Sequence, residues 1–252
     1  MALLEVKELG IDFGGLQALN DVFFAIDEGE IVGLIGPNGA GKTTVFNLLT
    51  GVYQPSRGAI RFEGKSLIGR KTFQINRLGI ARTFQNIRLF REMSVLDNVR
   101  LAMNNSMHYS VLSGIFRLPA YWKEERQVTQ QAMELLSVFG MEDTAGQMAG
   151  NLPYGRQRKL EILRALASDP KLLLLDEPAA GMNPTETHEL METIRDIRER
   201  FHVAILLIEH DMSLVMGVCE RLYVLDYGTL LASGTPDEIR RNEKVISAYL
   251  GA

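Results

Sequence analysis

The chain has 252 residues, 46% of them apolar, and a formal net charge of −4. That length holds one large domain, or one domain carrying an insertion, and the acidic balance excludes a general nucleic-acid footprint. The lone Cys219 excludes an internal disulfide framework and suits a reducing cytosol, and the first residues lack the basic-then-apolar pattern of a secretory signal.

Residues 3–9 and 18–26 are predicted strands, the second on the alternation Val22-Phe-Phe-Ala-Ile26. The apolar run Ile31 to Ile35 then feeds Gly36-Pro37-Asn38-Gly39-Ala40-Gly41-Lys42-Thr43-Thr44, and a helical pattern follows over 45–50. This is the pattern G-x-x-x-x-G-K-[ST] in its required strand–turn–helix context. Its glycines let successive backbone N–H groups converge on phosphate oxygens, and the helix N-terminus adds partial positive charge. Lys42 brings a full charge to the outer phosphates, and the Thr43 hydroxyl is suited to ligating Mg²⁺. The alternative is a plain Gly-rich turn, but a chain of this length meets the pattern by chance roughly once in a hundred. The loop therefore points to a nucleoside triphosphate.

Gln54-Pro-Ser-Arg-Gly58 is a predicted turn, residues 59–62 a short strand, 71–77 a helix, and 80–85 a strand that ends in Gln85. From 95 to 150 the pattern turns helical, with Val95, Val99 and Leu101 to Met103 on one face and Ala132, Leu135, Leu136 and Phe139 on another. Past 155 helix and strand alternate: helix 156–167, strand 171–176, helix 185–200 and strand 203–208, which implies a mostly parallel sheet flanked by helices. The purest apolar runs, Leu172 to Leu175 and Val203 to Ile208, are too short to span a bilayer and read as buried strands. Residues 236–250 read as short helices.

The strand Leu172 to Leu175 runs into two adjacent carboxylates, Asp176 and Glu177. Ligands of parallel sheets bind at carboxyl strand ends, so Asp176 is suited to Mg²⁺ and Glu177 to orienting or deprotonating an attacking water. The next strand ends similarly, in Glu209-His210-Asp211, which offers His210 as a γ-phosphate sensor. Gln85 can contact the metal ion or the water. Alone, the Asp-Glu pair could equally be a solvated strand end and the histidine plain surface; behind a phosphate loop, together, they suit phosphoryl transfer, which asks for positioning and charge compensation.

In this order Phe13, Gly36 to Thr44, Gln85, Leu152-Pro153-Tyr154-Gly155-Arg156, Asp176-Glu177 and His210 resemble the ATP-binding cassette family, over essentially the whole chain. The resemblance implies an α/β fold: a P-loop NTPase core of mostly parallel sheet flanked by helices, with an N-terminal antiparallel β portion, plus an inserted α-helical subdomain. One nucleotide-binding domain would then divide into a core over 1–90 and 155–235, a helical insertion over 91–154 that ends in the signature loop, and a helical tail over 236–252. It implies ATP and Mg²⁺ as cofactors, Phe13 stacked on adenine (with core packing as the alternative), Glu177 as catalytic base and His210 on the γ-phosphate. Arg82-Thr-Phe-Gln-Asn-Ile-Arg-Leu-Phe90, Ile208 to Met216 and Gly234-Thr-Pro-Asp-Glu-Ile239 look like the larger ATPase subunit of branched-chain amino acid importers. Related importers of urea or short amides look similar.

By the same resemblance, Leu152 to Arg156 cap ATP held by a second cassette subunit, a sister chain or the chain itself. This loop departs from the usual Leu-Ser-Gly-Gly-Gln: Pro153 offers neither hydroxyl nor N–H, so any weakening falls on the partner's ATP. Asn183 stands where the family commonly has aspartate. The implied setting is the cytoplasmic face of the inner membrane, as a peripheral subunit with two permease subunits, an external solute-binding protein acting indirectly, and no nucleic acid. Ile87, Leu89, Phe90 and Met93, and the apolar segment Tyr109 to Phe116, are candidate permease contacts, with internal packing as the alternative. A soluble non-transport cassette ATPase would carry tandem cassettes or a basic face; a GTPase switch would carry Asn-Lys-x-Asp, which is absent.

Overall fold

In the computed structural model, residues 2–103 and 119–250 are described. The segment Tyr109 to Phe116 lies outside them. Two compact units form, residues 1–85 with 171–252, and residues 86–170.

The first unit carries two sheets. One is antiparallel, built from β1 (Leu4–Phe13), β2 (Leu16–Ile26), β4 (Arg57–Phe62) and β5 (Lys65–Ser66) in the order β2-β1-β4-β5. The other contains β3 (Ile31–Ile35), β6 (Ile80–Arg82), β7 (Leu172–Asp176), β8 (Ala204–Ile208), β9 (Arg221–Asp226) and β10 (Thr229–Gly234), in the order β10-β9-β3-β8-β7-β6. Its pairs are parallel except β9 with β10. The central strands β3, β7 and β8 are buried along their whole length, as sheets covered on both faces require.

Their alternation divides the core. Val32, Leu34, Leu172, Leu174, Leu206 and Ile208 join a cluster with Phe46 and Leu49 of α1 (Lys42–Leu49) and with Leu4, Ile26, Ile60 and Phe62 of the antiparallel sheet. The helix that follows the phosphate loop is thus clamped between two sheets. On the opposite face, Gly33 lies against Val215 of α7 (Met212–Val218) and Cys219. The unit also holds α2 (Thr72–Arg77), α6 (Pro184–Phe201), α8 (Pro236–Arg240) and α9 (Glu243–Leu250). Asn183 begins α6 as its cap, accepting from the Thr185 and Glu186 N–H groups at 3.0 Å each, with Pro184 in the first turn. Asparagine caps as well as aspartate does, so the exchange at this position keeps the helix start intact.

The second unit is helical. Its helices α3 (Val95–Ala102), α4 (Pro119–Val138) and α5 (Tyr154–Leu166) pack through Val95, Val99, Ala132, Leu136, Leu160 and Leu163. Arg158 is fully buried and pairs with Glu161 at 2.7 Å. Asn98 ties the entry segment down, accepting from the Phe90 N–H and donating to the Phe90 and Ser94 carbonyls, each at 3.0 Å.

Three features differ from the sequence reading. The strand expected over 80–85 stops at Arg82, because the Thr83 hydroxyl, not a backbone carbonyl, accepts the Asp176 N–H at 3.3 Å. The helix assigned to the core from 155 onward falls in the second unit, because Leu160 and Leu163 complete the cluster around Val95 and Leu136. The hairpin β9–β10 is not signalled by the sequence: its turn residues Tyr227 and Gly228 take φ 41 and 77, the conformation a two-residue hairpin needs, without the usual Asn-Gly or Asp-Gly pair.

Candidate functional site

The phosphate loop joins β3 to α1, and two of its glycines are required by what surrounds them. Gly36 has φ 149, and a Cβ there would lie 2.1 Å from the Leu225 carbonyl oxygen. Gly41 has φ 104, and its Cβ would lie 2.6 Å from Leu19 Cδ2. Ala40 N–H donates to the Pro37 carbonyl at 3.2 Å, and the Ala40 carbonyl accepts from Gly228 at 3.1 Å. The backbone is thereby shaped as a cradle that no larger residue at those positions would preserve. Pro37, Asn38, Gly39, Thr43 and Thr44 lie along its partly or fully exposed face.

Lys42 opens α1 and is only 6% exposed. Its Nζ donates to the Gly36 carbonyl at 2.6 Å and to the Pro37 carbonyl at 2.9 Å. An ammonium has three hydrogens, so one remains for a phosphate oxygen. Burial pushes the Lys42 pKa below 10.5, opposed by the attraction of the Glu177 carboxylate.

Glu177 follows β7 in the left-handed region, at φ 46, held by its N–H to the Ile208 carbonyl at 2.8 Å. A non-glycine residue there is strained by about 1 kcal/mol or more, a cost common at functional turns. Its carboxylate is gripped from two sides: Gln85 Nε2 donates to Oε2 at 2.6 Å, and His210 Nε2 donates to Oε1 at 2.9 Å. Side chains that follow three separate strands thus meet at one carboxylate. Gln85 lies three residues beyond β6, not at its end, and that extra length lets the side chain reach.

Asp176 closes β7 and is buried against Arg82, whose Nη2 donates to Oδ2 at 2.8 Å. Thr43, Gln85 and Asp176 offer a hydroxyl, an amide carbonyl and a carboxylate, the hard oxygen donors Mg²⁺ takes. Among the described residues no cluster of three or more His, Cys, Asp or Glu is placed to hold a metal. This donor set fits an ion that shares its shell with nucleotide phosphates rather than one caged by protein alone.

Phe13 ends β1 partly exposed, edge-on to Tyr53 with ring centroids 5.2 Å apart. The signature segment belongs to the second unit: Leu152 is buried, Pro153 caps α5 without any side-chain bond, and Tyr154 and Arg156 are exposed. Gly155 lies in the first turn, and Gln157 steadies the loop by donating to the Leu152 carbonyl at 2.7 Å. Arg156 reaches Asp143 only at 3.4 Å across an exposed surface.

Sequence reasoning missed Arg82 and Glu209. Glu209 is buried between two site loops, its Oε1 accepting from Ala179 N–H at 2.6 Å and its Oε2 from His210 N–H at 2.9 Å. The available signal for both was position: a charged residue at the end of a fully apolar strand must be paired.

Comparison with known proteins gives a consistent picture. Residues 19–180 match the family model described as ABC transporter, and residues 229–252 the one described as branched-chain amino acid ATP-binding cassette transporter. Over 249 residues the chain is 50% identical to the high-affinity branched-chain amino acid transport ATP-binding protein LivG of Salmonella typhimurium, covering 99% of this chain and 98% of that protein. It is 47% identical to the corresponding protein BraF of Pseudomonas aeruginosa, with the same 99% and 98% coverage. A solved ADP conformation of an ATP-binding cassette from an ABC transporter matches with a TM-score of 0.86 at 30% identity, covering 100% of both chains.

Proposed function

Because the chain belongs to the ABC transporter family, we propose that it is the ATP-hydrolysing subunit of an importer for branched-chain amino acids. Nucleotide binding and ATPase activity follow from membership of the family. The amino acid substrate is supported by the near-full-length likeness to LivG and BraF. The observation that carries the catalytic reading is Glu177 held between Gln85 and His210.

In this reading, the loop Gly36 to Thr44 binds the phosphates, Lys42 offsets their charge and Phe13 stacks on the base. Thr43, Asp176 and Gln85 hold Mg²⁺, which when bound neutralises charge developing on the transferred phosphoryl group. Glu177 takes the proton of the attacking water through an oxygen freed from its present partners. His210 steadies that carboxylate and turns to the γ-phosphate once ATP is bound. Leu152 to Arg156 cover the nucleotide of a second cassette subunit, a sister chain. The phosphate-loop core and the helical insertion together make one nucleotide-binding domain, with the C-terminal helices as its tail.

No described helix is long and apolar enough to cross a membrane. The membrane attachment we propose therefore runs through two permease subunits, with the chain on the cytoplasmic face of the inner membrane and a solute-binding protein outside. The test is uptake into vesicles holding the assembled complex. Glu177→Gln should lower ATP hydrolysis by about 10²-fold or more and abolish leucine uptake while nucleotide still binds. Uptake that survives the variant sinks the mechanism, and uptake of urea in place of leucine overturns the substrate.

A further inference from the structure

Arg82 has no place in the mechanism just given, yet its surroundings are built around it. The guanidinium donates through Nη2 to Asp176 Oδ2 at 2.8 Å and through Nη1 to Asn47 Oδ1 at 2.8 Å. The Phe46 ring centroid lies 5.4 Å from Arg82 Cζ and the Phe84 centroid 5.1 Å away. The Arg82 and Asp176 side chains are 7% and 6% exposed. Asn47 and Phe46 belong to α1, the helix that starts at Lys42. One side chain therefore links the end of β7 to the phosphate-loop helix.

As a stability device this is a poor arrangement. A buried ion pair gains little over apolar residues of the same volume, and here the buried Nε makes no hydrogen bond among the described residues. Its value lies in orientation. With Oδ2 committed to the guanidinium, Oδ1 is the oxygen of Asp176 left without a hydrogen-bond partner among the described residues.

We propose that Arg82 is a positioning residue for the Mg²⁺–nucleotide site, fixing Asp176 through Oδ2 so that Oδ1 is the oxygen presented to the ion. The inference rests on the reading of Asp176 as a ligand of that ion. It also predicts that the register between α1 and β7, and hence between Lys42 and Asp176, is set through Asn47 and Arg82.

The test titrates Mg²⁺ into the full chain and follows binding of a fluorescent ATP analogue, with Mn²⁺ paramagnetic resonance as a second readout. Loss of such a supporting partner typically weakens metal binding on the order of tenfold or more. Arg82→Met should therefore raise the Mg²⁺ half-saturation about tenfold while analogue affinity in EDTA stays within about twofold of wild type. Arg82→Lys should recover most of the effect, because an ammonium can still reach one carboxylate oxygen. A wild-type Mg²⁺ dependence in Arg82→Met, with Asp176→Asn impaired, overturns the inference. A wild-type dependence in Asp176→Asn removes the underlying reading, and the inference with it. Should Arg82→Met not fold, Asn47→Ala, which removes the second anchor of the guanidinium, carries the test, and a wild-type Mg²⁺ dependence in that variant overturns the inference.

Discussion

Replacing Glu209 by alanine should loosen the site without removing any side chain that meets nucleotide. Its carboxylate accepts from Ala179 at 2.6 Å, from His210 at 2.9 Å and from Asp211 at 3.3 Å. The first two are short charge-assisted bonds to buried or half-buried N–H groups, each worth about 1.5 kcal/mol on deletion; the third is long and adds little. The variant should therefore lose about 3 kcal/mol, which for a chain of this size lowers Tm by roughly 6–12 °C. Glu209→Gln keeps one acceptor oxygen and should lose about half as much. The Ala179 bond anchors the turn after Glu177, and the His210 bond anchors the histidine, so hydrolysis should fall about tenfold with nucleotide affinity unchanged. Thermal denaturation of the full chain, with hydrogen exchange at the Ala179 and His210 amides, measures both effects. Wild-type melting together with wild-type protection of those two amides would refute the reasoning.

Three other outcomes follow from the site and its surroundings. The lowered Lys42 pKa means that the unfolded chain binds more protons between that lowered value and 10.5. The nucleotide-free wild type should then gain stability relative to Lys42→Met as pH rises toward 10.5, and a constant difference in denaturant unfolding would contradict it. Burial pushes the Cys219 thiol up to about 12 from 9.0, so its thiolate fraction near neutrality is lower by about a thousandfold. Thiol reagents should label it only in denaturant, and labelling of the native chain at an ordinary rate argues against the burial. Pro153→Ser gives α5 a capping hydroxyl and should stabilise the chain by about 1 kcal/mol. Nucleotide affinity of the isolated chain should stay the same while hydrolysis by the assembled pair changes; unchanged hydrolysis counts against a role in covering the partner's ATP.

The parts legible in the sequence were those with a local cause. Gly36 to Thr44 declares itself because phosphate binding needs that spacing within nine consecutive residues, and Leu172 to Leu175 because a strand buried on both faces is apolar along its length. Glu177 and His210 were legible for the same reason, as polar residues just past such strands. Arg82 and Glu209 were hidden because their partners lie far along the chain: Arg82 meets Asp176, and Glu209 meets Ala179. The position of Arg82 at the end of an apolar strand says that it needs a partner, but not that the partner is Asp176, ninety-four residues on. The hairpin after Arg221 was missed because its strands carry Tyr227 and Gly228 at the turn, while Val224 and Leu225 read equally well as helix or strand. The division at 154/155 followed the signature motif, whereas the packing of Leu160 and Leu163 follows volume and apolar contact.

The walls of the phosphate loop have a consequence for how the chain comes into being. Gly36 is pressed by the Leu225 carbonyl, and Gly228 bridges to both Ala40 and Asn20. The loop is thus completed by residues made almost two hundred positions after it. A chain still emerging from the ribosome has its glycines, its lysine and the start of its helix well before it has β9 and β10. Such long-range closure comes late in folding, when the intervening elements are already in place. Synthesis past Gly228 is therefore the step at which the cradle can close, and a fragment ending earlier should bind nucleotide more weakly than the full chain.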